Sequence, residues 1–150
     1  MVDRFKTFTV LVTRVNRNIR KIKNQEMANY QLRSSHISCL YYLYLAGGLT
    51  STELCEWCEE DKATISRSID YLEKNGYLFC ESKTAKRYKS PLILTEKGTE
   101  VGKKIADKIQ YVFDQVGAGL SEEERIQFYR SFTIISDGLD VLLKNGQDER

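Results

Sequence analysis

The sequence predicts a mainly α-helical fold carrying one small β-hairpin. Apolar residues recur at helical spacing in long runs separated by capping signals. The period changes once, after Gly76, to the short β-prone segments Tyr77–Glu81 and Leu92–Leu94. One proline and nine glycines in 150 residues leave little material for a loop-rich or all-β fold. With 41% hydrophobic and 11% aromatic residues the chain can bury a core, so wholesale disorder is excluded.

The first helix is expected from Phe5 to about Met27. Phe8, Leu11, Val12, Val15, Ile19 and Ile22 form its apolar stripe, more than one small domain needs, which points to packing against a partner chain. Ser34-Ser35 supplies hydroxyl caps for a second helix, His36–Ala46, with Ile37, Leu40, Leu43 and Tyr44 on its apolar side. Gly47-Gly48 ends it, and Leu49 is expected to be extended. Thr50-Ser51-Thr52-Glu53 is a capping box that starts a third helix, running to about Cys58, with Leu54, Trp57 and Cys58 inward.

Asp61–Gly76, DKATISRSIDYLEKNG, has the clearest boundaries. Asp61 is a fitting N-cap and Gly76 a left-handed stop. Ile65, Ile69 and Leu72 form the apolar stripe. Lys62, Thr64, Ser66, Arg67 and Ser68 lie on the other face, a set of small hydroxyls and long cations suited to phosphates and base edges. Two helices joined by a short turn, the second presenting such residues, make a helix-turn-helix. The basic segment Ser82–Ser90 joins the two strands, so the hairpin forms a wing on that motif. Thr95 caps the next helix, about Glu96 to Val116, with Val101, Ile105, Ile109, Val112 and Val116 as its stripe. Gly117-Ala118-Gly119 breaks the chain, and Ser121–Glu124 is a second capping box. The last helix is expected to reach about Lys144 with Ile126, Phe128, Phe132, Ile135, Leu139 and Leu142 inward, followed by a polar tail.

Net charge is only +2, but its distribution is uneven. Met1–His36 holds eight basic residues against Asp3 and Glu26, Lys83–Lys89 holds four and no acid, and Glu53–Asp61 holds five acids and no base. Two basic concentrations suit a polyanionic partner. The start, MVDRFKTFTVLVTRV, has no secretory pattern and no run suits a membrane span, so the chain is expected in the cytoplasm with its four cysteines reduced. Cys55-x-x-Cys58 has no second ligand pair, so no metal or other cofactor is expected. Glu53, Glu56, Glu59 and Glu60 around these two thiols are expected to raise their pKa and dull them. With His36 the single histidine, no nucleotide-binding glycine loop and no carboxylate pair in a motif, an enzyme is not expected.

Leu54-Cys55, DKATISRSIDYLEKNGYL and LILTEKG together resemble the multiple-antibiotic-resistance regulator (MarR) family of winged-helix regulators. The pattern is small–Thr–hydrophobic–Ser–Arg, then Leu-Glu-x-x-Gly, then Leu-Thr-x-x-Gly after the wing, and helix lengths agree across essentially the whole chain. The resemblance implies a single winged helix-turn-helix domain over residues 1–150. In it, 34–94 is the DNA-binding lobe, 95–116 a connecting helix, and 1–30 and 117–150 N- and C-terminal dimerisation helices interleaved in a homodimer. It implies recognition helices in successive major grooves of a pseudo-palindromic double-stranded DNA operator, with wings in the flanking minor grooves. Carried over by position, the recognition residues are Lys62, Ala63, Thr64, Ser66 and Arg67, and the wing contacts are Lys83, Lys86, Arg87 and Lys89. The family's Asp-x-Arg in the wing is replaced here by Lys86, Arg87 and Tyr88, so the wing relies more on net charge. The resemblance further implies a repressor released by a small amphipathic, often aromatic, effector, with His36, Tyr41 and Tyr44, beside Tyr42, as candidate pocket residues. Two other readings fit the same residues: a protein-interaction module docking through Glu53–Asp61, and a thiol-based redox-sensing regulator.

Overall fold

The structure is a computed structural model and describes residues 3–82 and 89–148. In chain order it contains α1 (Arg4–Glu26), a 3-10 turn (Ala28–Tyr30), α2 (Ser34–Ala46), α3 (Ser51–Cys58), α4 (Lys62–Lys74), β1 (Leu78–Cys80), β2 (Leu92–Leu94), α5 (Glu96–Val116) and α6 (Glu122–Asp148). These residues divide into two compact units, 1–107 and 108–150.

In the first unit α2 is the central helix. It packs against α1, α3, α4 and β2. Ile37, Leu40 and Leu43 of α2 meet Leu54, Ile65, Leu72, Leu78, Leu92 and Ile105 in a fully buried apolar core. β1 and β2 pair antiparallel with Leu78 opposite Leu94 and Cys80 opposite Leu92, and Leu49 bridges to Leu92 as a short third segment. α5 approaches α2 at Gly102, where a Cβ would press on Tyr44 Cβ at 2.9 Å.

The helix boundaries follow local chemistry. Thr50 and Glu53 exchange both capping-box bonds, the Glu53 N–H donating to Thr50 Oγ1 and the Thr50 N–H to Glu53 Oε2. Ser121 and Glu124 do the same. Gly47 ends α2 at φ 77°. The start of α2 differs from expectation. Its N-cap is Arg33, and the Arg33 N–H donates to His36 Nδ1 at 3.0 Å. His36, at the third helical position, does the work assigned to Ser34-Ser35, because a neutral imidazole nitrogen accepts as a glutamate or glutamine oxygen would.

Three inward assignments are corrected. Trp57 is 46% exposed, its ring edge-on to Tyr42 on the outer side of α3. Ser68 is buried, not outward, because it lies between Ile65 and Ile69 on the buried side of α4. In the second unit, Ile126, Phe128, Phe132, Ile135, Leu139 and Leu142 are 41% to 69% exposed. No part of the described chain covers the apolar face of α6. That helix also continues through Asn145–Asp148, where a polar tail was expected, since neither proline nor a left-handed glycine interrupts it.

Candidate nucleic-acid interface

The candidate interface is built on α4. Asp61 takes extended backbone angles and its Oδ1 accepts the Thr64 N–H at 2.8 Å. The Thr64 hydroxyl donates to Asp61 Oδ2 at 2.7 Å, and Arg67 Nη2 donates to Thr64 Oγ1 at 3.3 Å. Asp61, Thr64 and Arg67 thus form a chain along the outer face of the first two turns. The Thr64 backbone N–H, then its hydroxyl, hold the Asp61 carboxyl below its usual range, with Arg67 adding a smaller electrostatic effect. Lys62, Ala63, Ser66 and Arg67 are exposed and Thr64 is half-buried, while Ile65, Ile69 and Leu72 anchor the opposite face. Five sequence-predicted recognition residues therefore share one accessible stretch. Of the wing residues, Lys83, Lys86 and Arg87 lie outside the described residues, and Lys89 is exposed beside buried Ser90.

The far end of α4 is held by residues that sequence reasoning treated as punctuation. Gly76 adopts φ 76°, the left-handed stop expected of it. Its carbonyl accepts the Thr95 hydroxyl at 2.6 Å. The Thr95 N–H donates to the Tyr77 carbonyl at 3.0 Å, and Thr95 Oγ1 accepts the Gly98 N–H at 3.1 Å. Lys97 Nζ donates to the Asn75 carbonyl at 2.8 Å and lies 4.2 Å from the Tyr77 ring centre. A Cβ on Gly98 would collide with the Tyr77 carbonyl oxygen. The Thr-Glu-Lys-Gly segment after β2 is therefore a clasp that fixes where α4 ends and α5 begins. Its signal in the sequence was the spacing of Thr95 and Gly98, read there only as a cap.

Tyr71 links α4 to the start of α2. Its ring stacks on His36 with centroids 4.3 Å apart and planes 5° from parallel, and its hydroxyl donates to the Gln31 carbonyl at 3.0 Å. Burial, then the Arg33 charge, push the His36 pKa below its ordinary value. His36 is thus engaged in capping and stacking. Tyr41 tilts against Tyr42 at 5.1 Å, and Tyr44 packs over Gly102. A cavity of about 650 Å³ lies elsewhere in the same unit, lined by Arg20, Asn24, Arg33, Ser35, Glu60 and Thr64 among others, and none of the three candidate effector residues lines it.

The thiols do not behave alike. Burial, then Cys58, push Cys55 up, as expected. Cys58 is pushed down, contrary to expectation, because it accepts a hydrogen bond from Cys39 and lies near the Lys23 ammonium. Both partners are distant in sequence, so the flanking glutamates alone misled.

Residues 30–87 match the model of the MarR family. The chain is 26% identical over 125 residues to an uncharacterized HTH-type transcriptional regulator, YwoH of Bacillus subtilis, spanning 81% of this chain and 90% of that one. Among solved structures, a MarR protein from Peptoclostridium difficile superposes with a TM-score of 0.80 at 19% identity, covering 93% of this chain and 91% of the other. MepR of S. aureus, solved in complex with DNA, has a TM-score of 0.77 at 18% identity, covering 91% and 99%. A MarR regulator from Methanosarcina mazei has 0.78 at 20% identity, covering 94% of each. The helix-turn-helix with its hairpin, the clasp behind it and these matches lead to one conclusion: the chain belongs to the MarR family of winged-helix proteins.

Proposed function

We propose that this chain is a sequence-specific DNA-binding transcriptional regulator that acts as a homodimeric repressor and is released by a small amphipathic effector. The observation that carries this reading is the outer face of α4. Asp61 and Thr64 hold Arg67 over the start of the helix, beside exposed Lys62, Ala63 and Ser66. Such a helix offers cations and hydroxyls to phosphates and base edges while its apolar side stays anchored. The MarR-family match and the DNA-bound state of MepR support the assignment by analogy. The bare apolar faces of α1 and α6 support a dimer through residues 1–30 and 117–150, with 34–94 as the DNA-binding lobe. The wing cations Lys83, Lys86, Arg87 and Lys89 complete the basic surface in this reading. Tyr41 and Tyr44, with His36 and Tyr42 nearby, are the residues an aromatic effector would meet. Such a molecule switches the protein only by binding one arrangement of the two recognition helices better than the other.

Selection of bound duplexes from a random pool tests this. The expected product is a two-fold site with half-sites about one helical turn, roughly 10 bp, apart. Arg67→Ala should lose about 1–3 kcal/mol of discrimination between the selected site and random DNA if Arg67 reads a base. Unchanged binding to both removes Arg67 from the interface. Failure to enrich any sequence at low salt overturns the function. It would favour instead the docking of another protein on α3, where exposed Trp57 stands among Glu53, Glu56 and Glu59.

A further inference from the structure

One group of reactive side chains lies apart from the recognition face, where α1, α2 and α3 meet. Cys39 of α2 is fully buried, and Cys58, the last residue of α3, is half-buried. The two thiols are hydrogen-bonded to each other although 19 positions separate them (58 less 39). Lys23 of α1 reaches the same place. Its Nζ donates to Ser38 Oγ at 3.0 Å, one residue before Cys39, and its charge acts on Cys58. Glu60, from the turn after α3, opposes that charge, while Cys55 and Tyr42 are the other titratable neighbours.

A buried cysteine is ordinarily a small apolar side chain. This pair differs in three respects. Cys58 has a cation on one side and a thiol donor on the other, the setting that favours a thiolate. It keeps partial access to solvent. A second thiol already touches it, so an oxidised sulfur there would have a resolving partner without rearrangement of the helices. We infer that Cys58 and Cys39 form an oxidisable dithiol reactive toward hydroperoxides, with Cys58 as nucleophile, Cys39 as resolving thiol and Lys23 as the residue that positions and stabilises the thiolate.

The steps balance as follows. The Cys58 thiolate attacks the terminal peroxide oxygen, the O–O bond breaks, and the alkoxide leaves with a proton as an alcohol. Cys58 is then a sulfenic acid. The Cys39 sulfur attacks the Cys58 sulfur, the S–O bond breaks, and hydroxide leaves as water with the proton from Cys39. Two thiols lose two electrons and the peroxide gains them. The product is an intrachain disulfide tying the end of α3, and the turn that leads into α4, to the central helix α2.

The site is tested with the full-length reduced protein and cumene hydroperoxide, by thiol counting and peptide mapping. This readout does not involve DNA, so its failure is separate from failure of the regulator reading. The expected result is loss of two of the four thiols, a mass lower by two hydrogens, and one cross-linked pair joining the Cys39 and Cys58 peptides. Cys58→Ser should abolish the cross-link. Cys39→Ala should leave a sulfenic acid on Cys58 that dimedone labels. Lys23→Gln should shift the pH profile of Cys58 alkylation upward and slow peroxide consumption, with Lys23→Arg restoring both. Retention of all four thiols under excess peroxide, a Cys55–Cys58 cross-link, or first labelling at Cys55 or Cys80 would overturn the inference. The wild-type map decides the matter even if a cysteine variant fails to fold.

Discussion

His36 shows how much one side chain can be asked to do. Its Nδ1 accepts the Arg33 N–H and its ring stacks on Tyr71, so the fold requires the neutral imidazole. Protonation would turn the accepting nitrogen into a donor and place a cation beside Arg33. Since the folded-state pKa lies below the ordinary 6.5, the unfolded chain binds the proton more readily. The stabilising contribution is therefore fully present above pH 6.5 and is lost as pH falls through that value toward the lower folded one. As the single histidine, it dominates titration in that window. Urea midpoints should fall between pH 7.5 and about 5 in the natural chain. In His36→Gln, whose amide oxygen can still accept, that slope should flatten. An unchanged slope in the variant would assign the pH response to other groups. Asp61 is a second residue with a measurable share. Asp61→Ala removes the acceptor for the Thr64 N–H and frees Arg67, and should cost about 1 kcal/mol of stability. It should also weaken DNA binding, through a less ordered Arg67, measured as an increase in Kd.

Among the elements, α4 is the best defined because it is fixed at both ends. Asp61 caps its start, and the Thr95–Gly98 clasp closes on its end. Gly98 has no room for a methyl group, since the obstructing atom is the backbone oxygen of Tyr77. Gly98→Ala should therefore displace the start of α5 and cost about 1–3 kcal/mol, in the range of other overpacked sites. Gly119→Ala, where a Cβ meets nothing within 4 Å, is the control. Equal melting temperatures in the two variants would refute the clasp. α6 is the opposite case. Its own backbone and the Ser121–Glu124 box define it, but its apolar face finds no cover among the described residues.

At the level of the whole molecule that bare face is the main energetic debt. Phe128, Phe132, Ile135, Leu139 and Leu142 recur along one side, and Phe128 stacks on Phe132 at 5.6 Å. Burying such side chains is worth about 1.5–3 kcal/mol each, so a second copy of the chain is the economical cover. Phe132→Glu with Leu139→Glu should convert dimers to monomers in sedimentation while leaving most helical signal. The same variant should lose affinity for a two-half-site operator far more than for one half-site. A monomeric natural chain would overturn the arrangement. If the wing and α4 neutralise phosphates, log K for DNA should fall with log salt by about 0.9 per contact.

Read alone, the sequence determined the order and kind of the elements, because these depend on local terms. Capping boxes at Thr50 and Ser121, the left-handed Gly47 and Gly76, and apolar spacing within each helix are all short-range. It also brought Lys62, Ala63, Thr64, Ser66 and Arg67 together, since they occupy adjacent positions on one helix. It failed where the deciding neighbour is remote. Cys58 looked dulled by nearby glutamates until Cys39 and Lys23 arrived from other helices. His36 looked like a pocket residue until Arg33 and Tyr71 engaged it. Trp57 looked like core until its helix was placed with that edge outward. Gly98 looked like a helix detail until the carbonyl of Tyr77 met it. Periodicity says which face of a helix is apolar, but only tertiary packing decides what meets that face and which polar groups share a charge environment.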